Sequence, residues 1–346
     1  MRLLITTQAV DKDDPVLGFF VRWITEIAAR VEFVHVICLK EGLHTLPPNV
    51  RVHSLGKESG RSRIKYVFRF FRYMYRLRKE YDSVFVHMNA EYVVLGGLWW
   101  RSWKKRIVLW RNHKVPGFIT RLAVSLAHAV CYTSEAAYVA KFKNAIRMPI
   151  GIDTDFFAPS HEAAPEHSVL FLGRLDEVKR PHVFLEALEG LHERGVSFEA
   201  TIVGDPTDPT STYAHRVRNR ASTLILEGVL KMVPAVSNTE AARLFKQHAI
   251  YVNLTPSGSF DKTIGEAAAS GCTVVVANAA LKGIAPDRFI VDPESAESVA
   301  AGIEAAIRLP QDERRALGGE LRAHIVEHHS LSLLSSELSK ILARQL

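Results

Sequence analysis

Short apolar runs rich in β-branched residues alternate with longer amphipathic stretches along the whole chain. In the first half the runs are Leu3–Thr6, Phe33–Leu39, Val84–His87, Ile107–Trp110 and Ala129–Thr133. Between them lie stretches with apolar residues at helical spacing, such as Gly18–Arg30 and Arg61–Lys79. The second half repeats the rhythm with Val169–Leu172, Phe198–Val203, Leu224–Leu226, Ile250–Leu254, Thr273–Val276 and Phe289–Val291. Strands separated by helices at these spacings predict parallel sheets covered on both faces. The polar stretch Pro159–Ser168 (PSHEAAPEHS) reads as a linker between the halves. The pattern therefore predicts an α/β chain of two similar sheets, with a first domain over 1–158 and a second from 159 to 329. In such sheets ligands bind at the carboxyl ends of the strands, so two facing sheets would share one cleft.

Two segments place chemistry at those strand ends. VLFLGRLDEVKRPHVFLEAL runs from a strand through a turn at Gly173 into a helix near Pro181, with Arg174 and Lys179 flanking the turn. A guanidinium and an ammonium converging there suit a diphosphate, the first as a bidentate fork and the second as a point charge. Two solvated loop charges are the plain alternative. NLTPSGSFDKTIGEAAASGCTVVVA carries a loop, Gly258–Thr263, and then an alanine-rich helix with a lone carboxylate, Glu266. Gly258 and Ser259 let backbone approach a ligand, the amides opening the helix form an anion site, and Lys262 adds charge. Glu266 can accept hydrogen bonds from vicinal hydroxyls, as a ribose presents them. Its plain alternative is a carboxylate complementing the helix dipole.

Composition narrows the class. The chain has 346 residues, enough for two domains, with 47% hydrophobic and 23% charged residues. No apolar run approaches the ~18 residues that span a bilayer. The opening MRLLITTQAV reads as a first strand rather than a signal peptide. Cys38, Cys131 and Cys272 lie far apart in or beside apolar runs and fit neither a disulfide framework nor a zinc site, which points to reduced core thiols in a cytoplasmic protein. The net charge of +7 favours an anionic partner.

GRLDEVKRP resembles the G-R-L-x-x-x-K motif of retaining glycosyltransferases of family 4, the two-domain GT-B type. TPSGSFDKTIGEAAASGCTVVVA is similar to the same family's P-S…E-x-F-G-x-x-x-x-E-A-x-A-x-G-x-P-V-V segment. MPIGIDTDFFAP, ILEGVL and YTSEA resemble three further family motifs, in matching order. The resemblance implies a GT-B fold, two Rossmann-like domains with parallel sheets facing a central cleft, and a helix over 330–346 crossing back to the first domain. It implies metal-independent transfer of a sugar from a nucleoside-diphosphate sugar, with retention, to a glycan or lipid-linked acceptor, and no cofactor. Arg174 and Lys179 would hold the diphosphate, beside the turn at Gly173. Glu266 would bind the ribose, and the loop Gly258, Ser259, Phe260, Asp261, Lys262 and Thr263 the phosphate and sugar. In the first domain His113, in WRNHKVPG, matches a histidine beside the donor sugar, and Gly18 matches a glycine loop closing over the diphosphate.

One departure stands out. With Phe260 aligned to the family's phenylalanine, the glutamate expected eight residues before Glu266 is replaced by Gly258, and Asp261 takes the place of a glycine. That leaves a non-catalytic nucleotide-sugar-binding homologue as an alternative. A GT-B nucleotide-sugar epimerase, the other alternative, would want several cleft carboxylates and histidines, which the sequence does not place.

Two metal-like patterns are weaker. Asp153-Thr154-Asp155 has D-x-D spacing but sits within the GIDTDFFAP segment. His324 and His328 have the spacing of a zinc pair in a tail helix, where a solvated face is the simpler reading. His87, at a strand end, fits a cleft residue or a structural one equally.

Arg61–Lys79 holds eight basic residues and no acidic one. An apolar stripe of Ile64, Val67, Phe68, Phe71 and Tyr75 runs beside a basic stripe of Lys65, Arg69, Arg72 and Arg76. This is a basic amphipathic helix, suited either to covering the first sheet or to docking on an anionic membrane face where a lipid-linked acceptor resides. Trp99, Trp100 and Trp103, with Lys104, Lys105 and Arg106, add a second basic–aromatic patch. No nucleic-acid motif accompanies the charge, so the expectation is a cytoplasmic protein peripheral to the inner membrane face, without nucleic acid.

Overall fold

Nine residues, Arg2–Val10, form the first strand, β1, and their side chains are buried almost throughout. This strand is central in a sheet because β-branched and leucine side chains cover both of its faces. The computed structural model describes residues 1–60, 62–256 and 261–344. After β1 come α1 (Phe19–Ala28), β2 (Phe33–Glu41), β3 (Val50–Ser54), α2 (Arg63–Arg76), β4 (Ser83–His87) and α3 (Ala90–Ser102). Then follow β5 (Arg106–Trp110), α4 (Phe118–Leu126), β6 (Ala129–Tyr132) and β7 (Ala145–Arg147). The strands form a seven-stranded sheet in the order β3-β2-β1-β4-β5-β6-β7. Every described pairing in it is parallel.

The second series is β8 (Ser168–Leu172), α5 (Pro181–Glu193), β9 (Glu199–Val203), α6 (Thr212–Leu226), β10 (Leu230–Val233) and α7 (Asn238–Gln247). It continues with β11 (Ile250–Asn253), α8 (Lys262–Ala269), β12 (Thr273–Val276), α9 (Ala296–Ile307) and α10 (Gln311–His329). The five strands run parallel in the order β10-β9-β8-β11-β12. A last helix, α11 (Leu331–Ala343), lays Leu334, Leu338 and Leu342 into the core formed by β1, β2 and α1.

The chain divides into two compact units, Met1–Gly151 with Leu331–Leu346, and Ile152–Ser330. Both are doubly wound α/β layers whose strand order reverses beside the first strand, between β1 and β4 and between β8 and β11. Such reversal points open a crevice at the carboxyl ends of the strands. The polar stretch Pro159–Ser168 lies inside the second unit and ends in β8, so it is an internal loop rather than a linker.

Several expectations are corrected. Leu224–Leu226 is the last turn of α6, ended by Gly228 at φ +76, and the strand is Leu230–Val233. Phe289–Val291 makes only an isolated bridge, between Val276 and Ile290. In α2 the buried residues are Phe70 and Met74, followed by Leu77, while Ile64, Phe68 and Tyr75 are 84%, 68% and 56% exposed. Of the two roles open to the apolar stripe, covering the sheet is thus not the one that Ile64, Phe68 and Tyr75 perform, since they lie on the outer side. Arg69 leaves the basic stripe, since its Nη1 donates to the Leu55 carbonyl at 2.9 Å. His87 is a core residue, stacked on Phe20 with ring centroids 3.8 Å apart and its Nδ1 3.2 Å from Thr7 Oγ1. All three cysteines are free and buried, and burial pushes the Cys131 and Cys272 thiols up to about 12.

Candidate functional site

In the second unit the ends of β8, β9 and β11 bring the polar groups together. Gly173 follows β8 and donates its N–H to the Val203 carbonyl at the end of β9, 3.0 Å away. Arg174 is thereby set beyond the strand edge, with its Nη1 2.9 Å from Thr207 Oγ1 and 3.3 Å from Asp176 Oδ2. Thr207 closes the arrangement by donating its N–H and hydroxyl to Asp176 at 3.0 and 2.6 Å. Burial would raise the Asp176 carboxyl, but the Thr207 hydrogen bonds and the charges of Arg174 and Lys179 hold it below the usual range. More than half of the Arg174 side chain stays exposed, so its guanidinium retains donors for a ligand.

Lys179 ends a single 3-10 turn, Glu177–Lys179. The next residue, Arg180, takes left-handed backbone at φ +54, and Pro181 then starts α5 where a missing N–H costs nothing. That turn aims the Lys179 ammonium at Thr255 Oγ1, 3.1 Å away, and into an ion pair with Asp261.

Asp261 is the N-cap of α8, accepting from the Thr263 N–H at 3.4 Å. Its Oδ2 also accepts from Asn253 Nδ2 at 3.0 Å and Thr255 Oγ1 at 3.1 Å, and its Oδ1 from Thr263 Oγ1 at 3.1 Å. Behind them Tyr251 donates to Thr263 Oγ1 at 2.7 Å. Burial would raise the Asp261 carboxyl, yet the Lys179 charge and these hydrogen bonds hold it low. Burial pushes the Tyr251 phenol far up, and the Asp261 and Glu266 charges add to the effect.

Glu266 is only 4% exposed on α8, among Ile264, Ala267, Ala268 and Ala269. A buried carboxylate in an alanine-rich helix is uncommon, and burial is compatible both with a ligand-binding role and with a carboxylate complementing the helix dipole. Lys262 opens the same helix and is half-buried, as is Thr263. Gly258, Ser259 and Phe260 lie outside the described residues.

Gly18 and His113 belong to the first unit. Gly18 precedes α1, and a Cβ there would lie 2.7 Å from the carbonyl oxygens of both Lys12 and Asp14, so only glycine fits this close turn. His113 is exposed in the loop after β5. Its Nδ1 accepts from the Val115 N–H at 3.2 Å, which leaves the Nε2 proton pointing elsewhere when the ring is neutral.

Among the described residues no group of three or more His, Cys, Asp or Glu side chains is arranged to hold a metal ion. Asp153 instead accepts the Phe156 N–H at 3.1 Å in a tight turn. The His324 and His328 rings lie side by side on α10, tilted at 55° with centroids 4.6 Å apart.

Sequence reasoning missed Asn253, Thr255, Asp176 and Thr207, which orient the charged groups. Asn253 and Thr255 stood in plain view as polar residues ending an apolar run, a signal available from the strand-end rule.

This is the fold of the GT-B glycosyltransferases, α/β with parallel sheets in two Rossmann-like halves. Residues 153–324 match the family model of the glycosyl transferases group 1. D-inositol 3-phosphate glycosyltransferase 2 of Catenulispora acidiphila is 32% identical over 143 residues, covering 37% of this chain and 33% of that protein. D-inositol 3-phosphate glycosyltransferase of Corynebacterium glutamicum is 25% identical over 209 residues, covering 55% of this chain and 49% of its own. The chain thus spans a third to a half of the length of these curated relatives. The crystal structure of Anabaena HepE in complex with UDP superposes with a TM-score of 0.76 at 16% identity, covering 99% of this chain and 100% of that one.

Proposed function

We propose that this protein is a glycosyltransferase that moves a sugar from a nucleoside-diphosphate sugar to a glycan or lipid-linked acceptor, with retention at the anomeric carbon and without a metal ion. The observation that carries the reading is Glu266: a carboxylate buried on a helix whose N-terminus adjoins Lys179 at a strand-end crevice. A nucleotide's ribose hydroxyls are the partners such a carboxylate suits. Arg174, Lys179 and the first amides of α8 supply the positive field for a diphosphate leaving group, which is electrostatic preorganisation rather than acid–base chemistry. The leaving phosphate itself takes the acceptor proton. His113 serves beside the donor sugar and Gly18 in the loop over the diphosphate, as the family resemblance implies. UDP bound to the Anabaena protein favours a uridine nucleotide as the first donor to try.

The acceptor side belongs to the first unit. There α2 turns Ile64 and Phe68 outward beside Arg63, Lys65, Arg72 and Arg76, an apolar and cationic face that fits an anionic membrane surface. Among the described residues no helix is long and apolar enough to cross a membrane.

The test is a panel of nucleoside-diphosphate sugars assayed for binding by thermal shift, then for transfer and hydrolysis. Binding with turnover is expected. Binding without transfer or hydrolysis under any acceptor would favour the non-catalytic alternative, interconversion of the sugar the epimerase, and no binding of any nucleotide would overturn the reading.

A further inference from the structure

Lys179 is not a spare cation. Its ammonium is paired inside the chain with the Asp261 carboxylate, and both side chains are largely enclosed, at 17% and 13% exposure. The same carboxylate collects the Asn253 amide, the Thr255 and Thr263 hydroxyls and the Thr263 N–H that opens α8. An ammonium, an amide, two hydroxyls and a helix-terminal amide are the donors that would hold a phosphate group. Here a side chain of the chain itself receives them. Asp261 also stands where the resemblance places a glycine, which has no charge to offer.

We infer that Asp261 is a positioning residue that acts as a built-in counter-anion to Lys179, and that a donor diphosphate reaches Lys179 only by displacing it. This rests on the donor-binding reading above and adds a feature peculiar to this chain. Phosphate oxygens brought to the Lys179 ammonium would stand beside the Asp261 carboxylate. Like charges sharing one enclosed cation repel, so the diphosphate and Asp261 exclude one another there. The exchange keeps Lys179 paired at every stage and makes donor affinity depend on how firmly Asp261 is held. Arg174 is differently placed. Its side chain is more than half exposed and reaches Asp176 and Thr207 through Nη1, so a phosphate can meet its other donors while those partners stay in place.

The experiment is UDP titration by calorimetry of the wild-type protein, Asp261→Asn and Asp261→Gly, with melting temperatures alongside. Asparagine keeps the shape and the N-cap while removing the charge, and glycine provides a second variant should the amide misfold. The inference expects both variants to bind UDP about tenfold more tightly than wild type, the scale of an ordinary coupling between two competing ligands. Asp261→Asn in a Lys179→Met background should gain nothing, because the competition needs the lysine. A merely structural Asp261 predicts the reverse, weaker or unchanged UDP binding with a lower melting temperature, and that result overturns the inference while leaving the donor site in place. Failure of every form, wild type included, to bind UDP, GDP or ADP would remove the donor reading and the inference together.

Discussion

A Cβ built on Gly204 would lie 2.0 Å from the carbonyl oxygen of Gly173. Gly204 sits at φ +148 just after β9, in backbone that side chains rarely adopt, and Gly173 is the turn that launches Arg174. The two strand ends therefore touch backbone to backbone, and the position of Arg174 is fixed by the absence of a side chain at Gly204.

Gly204→Ala should consequently push the Gly173 turn away and carry Arg174 with it. The strained backbone and the clash together predict a destabilisation of about 1–3 kcal/mol and weaker UDP binding. Melting temperature and calorimetry on the variant check both, and an alanine protein with unchanged stability and affinity would mean the turn is adaptable.

On the proposed membrane-docking face of α2, Lys65, Arg72 and Arg76 replaced by Gln, with Arg69 left in place to hold the Leu55 carbonyl, should abolish binding to vesicles containing anionic lipid without unfolding the protein. Wild-type binding should fall as salt rises, through screening. Phe68→Ser alone, with the basic residues intact, should weaken docking by removing an apolar contact. Equal binding to neutral vesicles, or none to anionic ones, would return α2 to a simple covering role.

Burial, with help from the neighbouring His35, Arg51 and Arg76 charges, pulls His53 down to about 4, against a weaker upward pull from Glu80. Its Nε2 lies 3.1 Å from His35 Nδ1. As the folded pKa is below the ordinary 6.5, the unfolded chain takes up the proton first. Stability from this group is therefore intact above 6.5 and lost as pH falls toward 4. Melting temperature should drop more steeply over that window in wild type than in His53→Gln, and equal slopes would contradict the assignment.

If the proposed donor site is right, chelation should leave transfer unaltered, since side chains and amides would then meet the charge on the diphosphate. Loss of activity with EDTA, restored by Mn²⁺ or Mg²⁺, would return Asp153 and Asp155 to the site.

Much of this architecture was legible because buried parallel strands are continuous apolar runs. Val84–His87 and Thr273–Val276 were bounded to within a residue for that reason. The readings failed where two structures share one pattern. Leu224-Ile225-Leu226 looks like a strand, yet it is helix with Leu224 buried and Leu226 exposed. In α2 apolar residues occupy two adjacent faces, so spacing did not reveal which one meets the sheet, and the face carrying Phe70 and Met74 is the one that does. At the candidate site the sequence singled out Arg174, Lys179 and Glu266 by type and motif, and the structure puts Lys179 against Asp261, the N-cap of the helix that carries Glu266. What the sequence hid was the pairing of Lys179 with Asp261, since a contact across 82 positions depends on how β8 and β11 lie side by side.

The donor-site account turns on Glu266, and one measurement addresses it: UDP affinity of Glu266→Ala against wild type, with melting temperature recorded on the same samples. Hydrogen bonds to a charged acceptor contribute roughly 1.5–3 kcal/mol each. The account therefore predicts binding weaker by about ten- to a few hundred-fold in a protein that remains folded. A folded Glu266→Ala protein that binds UDP as tightly as wild type would contradict it.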